Sequence, residues 1–156
     1  MAVEIERKFL VADDTWRTGV SGARRIRQAY LCKNGMASVR VRVVDDCSAR
    51  LTVKAMPHGD GPALSRAEFE YAIPLEEGLA MLDLRIGRVV EKTRHLVPAE
   101  NGRTWEVDVF SGTHEGLVLA EIELSAPDEE FVQPRWLGRE VTDDPAYSNA
   151  ALAQRD

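Results

Sequence analysis

No apolar run in this chain approaches the roughly 18 residues that a membrane-crossing helix requires. Its first residues also lack the apolar centre of a secretion signal, so a cytoplasmic protein without membrane contact is expected. Cysteine is nearly missing. Cys32 and Cys47 stand without metal-type spacing, which excludes a disulfide scaffold and a thiolate cluster and is expected to mean reduced thiols. The three histidines are no better placed for chemistry. His58 and His114 fall in loop-like stretches, and His95 has the strand parity opposite to Lys92 and Arg94. Gly59-Asp60-Gly61 sits in no strand–turn–helix context and is not a phosphate-binding fingerprint. Repeats, linkers and low-complexity tracts are missing as well, so residues 1–156 are expected to form one domain. With 26 acidic against 20 basic side chains, the net charge of −6 argues against nucleic-acid binding but leaves room for a local basic cavity.

What the chain has in quantity is alternation. Strand patterns run over Val3–Val11, Arg24–Lys33, Met36–Val44, Ser48–Met56, Leu64–Ile73, Arg88–Val97, Arg103–Phe110 and Leu117–Leu124. Asn34-Gly35 and Asn101-Gly102 are hairpin signals, Asp45-Asp46 marks a turn, and Pro57 to Ala63 reads as a loop. Three helices are expected. One is short and starts at Asp13-Asp14-Thr15-Trp16; one is opened by Pro74, with Leu75, Leu79 and Leu82 on one stripe; one is terminal, from about Pro145 to Gln154. Eight hairpin-rich strands with a few flanking helices imply a mainly β fold: an eight-stranded antiparallel barrel that closes on itself as an up-and-down winding and removes its own edges. Such a barrel has an interior wide enough for one small ligand.

The polar parity is sorted by sign. Glu4/Glu6, Glu68/Glu70, Glu106/Asp108 and Glu121/Glu123 are acidic pairs, whereas Arg40/Arg42, Arg50/Lys54 and Lys92/Arg94 are basic. A solvated sheet face gains from opposite charges at neighbouring positions and nothing rewards like pairs. Like charges two residues apart on a strand lie roughly 7 Å from each other. At an effective dielectric of about 20, each pair then costs on the order of 2 kcal/mol unless counter-charges sit between them. A polyphosphate with divalent metals would satisfy both sets at once, which favours a charged lumen. The apolar parity must then face outward, covered by the helix near Leu75–Leu84, by the terminal segment, or by a second subunit.

Glu4-Ile5-Glu6-Arg7-Lys8 resembles the ExExK signature of the CYTH superfamily, the triphosphate tunnel metalloenzymes. Further similarities run through Gln28-Ala29-Tyr30-Leu31, Val39-Arg40-Val41-Arg42, Leu51-Thr52-Val53-Lys54, Glu68-Phe69-Glu70-Tyr71, Lys92-Thr93-Arg94, Trp105-Glu106-Val107-Asp108 and Glu121-Ile122-Glu123, and into the tail at Glu140-Val141-Thr142, Tyr147 and Asn149. The resemblance implies an eight-stranded tunnel for a linear triphosphate. It implies Mg²⁺ or Mn²⁺ held by Glu4, Glu6, Glu121 and Glu123, with Asp108, and Glu68, Glu70 or Glu106, serving a second ion or the attacking water. It implies phosphate contacts from Lys8, Arg40, Arg42, Lys54, Lys92 and Arg94; Arg50 has the right parity and a looser match. Lys8, Asp108 and Lys92 are the catalytic candidates, Lys8 because it shares its strand face with the carboxylates. All-oxygen ligands suit Mg²⁺ or Mn²⁺ better than zinc. The activity expected first is hydrolysis of inorganic tripolyphosphate to pyrophosphate and phosphate; adenylate cyclase, thiamine triphosphatase and a non-catalytic polyphosphate- or nucleotide-binding module are the alternatives. The expected partner is a small-molecule triphosphate, and the resemblance points to a homodimer.

Overall fold

Alternating side chains leave a polar row and an apolar row on opposite faces of each strand, and a sheet can roll up only if each row finds its own surroundings. The computed structural model, which describes residues 2–56 and 65–154, shows an antiparallel sheet rolled into a barrel with its polar row inside. The strands are β1 (Ala2–Val11), β2 (Gly22–Lys33), β3 (Ala37–Val44), β4 (Ser48–Ala55), β5 (Ser65–Ile73), β6 (Ile86–Pro98), β7 (Thr104–Ser111) and β8 (Val118–Glu123). They run round the barrel in the order β5-β4-β3-β2-β6-β7-β8-β1, and β1 pairs back to β5 to close the ring. The expected closed, eight-stranded antiparallel fold is therefore present.

Its winding is not simply up-and-down. Two meanders, β2 to β5 and β6 to β8, lie side by side through the β2–β6 pairing, and β1 fills the gap between their outer edges. The reason lies in the connections. A 3₁₀ turn at Thr15–Gly19, anchored by buried Trp16, follows β1, and the helix α1 (Leu75–Leu82) follows β5. Neither connection is a hairpin, so neither forces its flanking strands to be neighbours.

The Asn101-Gly102 signal holds: both residues have positive φ (59° and 73°), and Arg103 N–H donates to the Glu100 carbonyl, as a type I′ turn requires. Asn34-Gly35 turns differently. Neither residue has positive φ; instead the Asn34 side-chain oxygen accepts from the N–H groups of Met36 and Ala37. The positive-φ pair falls at Asp45 and Asp46.

Three apolar clusters fix the barrel. On the outer wall of β2 to β4, Ala29, Val41, Val43 and Ala49 meet Leu82 of α1. The contacting stripe is Leu75, Gly78 and Leu82 rather than one including Leu79, which is exposed. Gly78 makes this approach possible, since a Cβ there would lie 2.4 Å from the Ala49 Cβ. On the opposite wall, Trp16, Trp105, Trp136, Val107 and Ile122 form the largest cluster, covered by the 3₁₀ turn and by the irregular segment around Phe131. The third cluster lies inside. Tyr30, Val90, Phe110 and Leu119 continue the inward rows at one end of the bore, and Leu152 and Ala153 of α2 (Asn149–Gln154) pack against them. The terminal helix, expected on the outer wall, thus closes part of the bore instead, because the inward rows turn apolar at that end.

A ninth strand, β9 (Leu137–Glu140), pairs with β1 at Phe9 and Val11 and was not expected from the sequence. Four residues containing a glycine and two charges carry no alternation signal. No helix among the described residues is long and apolar enough to cross a membrane. Gly59-Asp60-Gly61 and His58 lie outside the described residues.

Candidate active site

Strand register explains how residues distant in sequence reach one lumen. Glu6 lies opposite Glu123 and Lys8 opposite Glu121 on β8; Lys54 lies opposite Glu68, Arg42 opposite both Gln28 and Arg50, and Arg94 opposite Asp108. Lys8, Gln28, Thr52, Lys92, Asp108 and Glu121 are buried. Burial of this many polar groups is tolerable only where each finds a partner or a ligand.

One centre is acidic and organised round Lys54. Its ammonium contacts Glu4 closely and lies 3.8 Å from both Glu6 and Glu68. Three carboxyls sharing one ammonium cannot all remain ionised at equal ease. Burial alone would raise Glu4, but hydrogen bonding with Glu68 and the charge of Lys54 bring it to about 2. Glu68 is pushed up to about 7 by burial and by Glu4, and Glu6 rises well above the usual range through burial and the charges of Glu121 and Glu4. This group is short of positive charge.

The second centre is cationic. Lys92 Nζ lies 2.7 Å from Asp108 Oδ2, Arg94 Nε and Nη2 each donate to Asp108 at 2.9 Å, and Arg94 Nη1 reaches Glu106 at 2.6 Å. Arg42 Nε donates to Gln28 Oε1 at 2.9 Å. Burial pushes the Lys92 ammonium down to about 8, with Arg94 and Arg42 adding to the effect and Asp108 opposing it. Burial, then Arg40 and Arg94, push Arg42 down to about 9. Burial would raise Asp108, but Lys92 and Arg94 hold it below the usual carboxylate range. Two buried donors, Arg40 Nε and Gln28 Nε2, have no acceptor among the described residues. This half of the lumen is short of anionic oxygen.

Lys8 joins the two centres. Its ammonium lies 3.5 Å from Glu121 Oε1 and donates to the Tyr147 carbonyl at 2.9 Å, while its backbone N–H donates to Thr142 Oγ1. Burial would raise Glu121, but Lys8, Arg94 and Lys92 hold it well below the ordinary value. Arg50 pairs with Glu70 at 3.0 Å on the exposed rim, and Glu123 is exposed at the far end of the bore. Asp108 stands among cations rather than among the other carboxylates. His95 packs outside against Trp16, and His114 Nε2 contacts the Leu152 carbonyl at 2.6 Å; neither enters the lumen centre. Sequence reading missed Gln28 and Thr52 as lumen groups, although both share parity with the charged rows. It also missed the backbone carbonyl of Tyr147, for which no side-chain pattern gives a signal.

The chemistry of the acidic centre suits a hard divalent cation, since every candidate donor is a carboxylate oxygen. Among the described residues, no three acidic, histidine or cysteine side chains stand close enough to hold a metal ion as they are placed. Lys54, the cation already seated between Glu4, Glu6 and Glu68, accounts for this spacing.

A closed antiparallel tunnel with Glu4, Glu6 and Lys8 on the lumen face of its first strand agrees with the family model for the CYTH domain, which matches residues 2–155. The chain belongs to the CYTH domain family. Two CYTH relatives named inorganic triphosphatase are similar along nearly their whole length. One, from Acetivibrio thermocellus, is 44% identical over 155 residues, covering 99% of this chain and 95% of its own. The other, from Nitrosomonas europaea, is 37% identical over 152 residues, covering 96% of both. The crystal structure of an inorganic triphosphatase superposes with a TM-score of 0.68 at 33% identity, covering 100% of this chain and 97% of that one. A Hippeastrum protein with dominant triphosphatase activity shares the CYTH fold alone, at 13% identity, a TM-score of 0.59 and 81% coverage of both chains.

Proposed function

We propose that this CYTH-domain protein hydrolyses a linear triphosphate, with inorganic tripolyphosphate as the first substrate, in a reaction requiring Mg²⁺ or Mn²⁺. The observation that carries the proposal is the buried cationic centre: Arg42 and Lys92 pushed down by burial, with Arg40 Nε and Gln28 Nε2 lacking acceptors among the described residues. Such groups are costly in a lumen unless a polyanion meets them. The names of the two relatives support the same substrate class.

Arg42, Arg94 and Lys92 would contact phosphate oxygens, with Arg40, Lys54 and Arg50 extending the grip toward the rim. Asp108 serves here as a positioning residue, because its two oxygens are committed to Lys92 and Arg94. Lys8 would stabilise charge developing near the scissile bond, held in place by Glu121 and the Tyr147 carbonyl. Glu4, Glu6, Glu121 and Glu123 would hold the metal ion, which when bound neutralises phosphate oxygens and acidifies a water. Burial raises Glu68 and Glu106, so these carboxyls would orient the attacking water and take up its proton. The water oxygen bonds to a terminal phosphorus, the bridging P–O bond breaks, and pyrophosphate leaves.

Purified protein with Mg²⁺ and tripolyphosphate should release phosphate, and EDTA or Lys8→Ala should abolish the release. Cyclic AMP from ATP, faster turnover of thiamine triphosphate, or tight tripolyphosphate binding without product would each replace this reading.

A further inference from the structure

Two cations outside the expected site residues stand at one end of the bore. A β-bulge between Tyr30 and Cys32 shifts the parity of β2, so that Lys33 rather than Cys32 pairs with lumen-facing Ser38. Arg66 lies opposite Glu4 across the β1–β5 seam that closes the barrel. Both line a cavity of about 140 Å³ together with Lys8, Arg40, Lys54 and Glu6. Among the described residues, five cations and one carboxylate line that cavity; Lys54 and Lys8 also reach Glu4, Glu68 and Glu121 deeper in the bore, so the surplus at the mouth is carried by Lys33, Arg40 and Arg66. Much of its remaining wall is the tail from Val141 to Ala150, which holds Lys8 through the Tyr147 carbonyl.

The other end of the bore carries no such surplus. Glu106 and Glu123 line a groove there, and the cations beside them are paired: Arg94 with Glu106, Arg103 with Glu129, and Arg50 on the rim with Glu70. A low-dielectric bore with unlike ends focuses the field, so a polyanion is drawn to one opening rather than the other.

We propose that the tunnel is loaded from one side: Lys33 and Arg66 form a capture site for the triphosphate at the basic mouth beside α2. This rests on the triphosphate reading above and assigns the two residues a role in binding and entry rather than in bond cleavage. A solvated-surface role would suit an outward parity; the bulge at Leu31 turns Lys33 inward instead, and Arg66 shares the lumen face of β5 with Glu68 and Glu70.

The test is steady-state kinetics on tripolyphosphate for wild type, Arg66→Gln, the double variant Lys33→Glu/Arg66→Glu, and Thr104→Glu at the opposite mouth, each at low and at physiological ionic strength. The double variant should lower kcat/KM about tenfold or more at low salt and lose most of its salt dependence, with kcat kept within about twofold. Arg66→Gln, the milder change, should give a smaller loss of the same kind. Thr104→Glu should move neither constant. An equal loss from Thr104→Glu, or a double variant within about twofold of wild-type kcat/KM, would overturn one-sided loading. Calorimetry of tripolyphosphate binding in EDTA separates this inference from the hydrolase reading. Wild type that binds in EDTA yet releases no phosphate once Mg²⁺ or Mn²⁺ is supplied defeats the hydrolase reading alone, and a double variant that binds as tightly as wild type defeats the capture site.

Discussion

Asp108→Asn is the most informative single substitution in the lumen. Asp108 is 1% exposed and is the only carboxylate contacted by both Lys92 and Arg94 at 2.9 Å or less among the described residues. The amide keeps the volume but carries no charge, leaving two buried cations beside Arg42 without their shared counter-charge. Removing one partner of a buried ion pair costs about 3–5 kcal/mol. Unfolding entropy of about 2.1 cal/mol/K per residue, over 156 residues, gives about 0.33 kcal/mol/K, so the melting midpoint should fall by about 9–15 °C. The same reasoning predicts a rescue. Tripolyphosphate in EDTA supplies the missing negative charge without turnover, and should raise the midpoint of Asp108→Asn more than that of wild type. Thermal unfolding by circular dichroism, with and without tripolyphosphate, measures both quantities. A fall of less than about 3 °C, or a ligand shift no larger than wild type's, would refute the account of a buried centre balanced by Asp108.

Lys92 supplies a pH test on the ligand-free protein. Its pKa is about 8 folded against an ordinary 10.5, so the unfolded chain holds the extra proton between these values. The Lys92 contribution to stability is therefore fully present above 10.5 and is lost as pH falls through about 8. The stability of wild type minus that of Lys92→Met should climb across this window; a flat difference in urea titrations would contradict the burial argument. Gly78→Ala should destabilise by about 1–3 kcal/mol, because its Cβ would meet Ala49 at 2.4 Å. Unchanged stability on denaturation would mean that α1 can lift off without loss. Leu152→Ala should cost about 2–5 kcal/mol, since Leu152 is fully buried against the apolar end of the bore. A loss below about 1 kcal/mol would show that α2 contributes little to closing that end.

Much of this molecule was legible because a barrel repeats one rule. Period-two alternation placed Glu4, Arg42, Lys54, Lys92 and Glu121 on one face, and like-sign pairing said that this face was not meant for water alone. Alternation fails where the chain breaks step. The bulge at Leu31 hid Lys33, and the short β9 offered too few residues to show a period. Parity also says which face a residue shares but not which neighbour it meets. Asp108 looked equivalent to Glu4 and Glu6, yet the β6–β7 register sets it beside Lys92 and Arg94. Strand order was similarly hidden, because it depends on which connections are hairpins and which carry a helix. The closing role of α2 was hidden for another reason: six residues rich in alanine reveal an apolar helix but not the hole that it fits.

The position of β1 between β5 and β8 has a consequence for biosynthesis. The strand bearing Glu4, Glu6 and Lys8 leaves the ribosome before the other strands of the barrel, yet its partners lie at residues 65–68, 119–123 and 137–140. Until these emerge, the strand has two open edges and an apolar side with nothing to pack on, a state prone to wrong pairing. Closing the ring is thus among the last events of folding, and no partial chain ending before residue 118 can assemble both halves of the lumen.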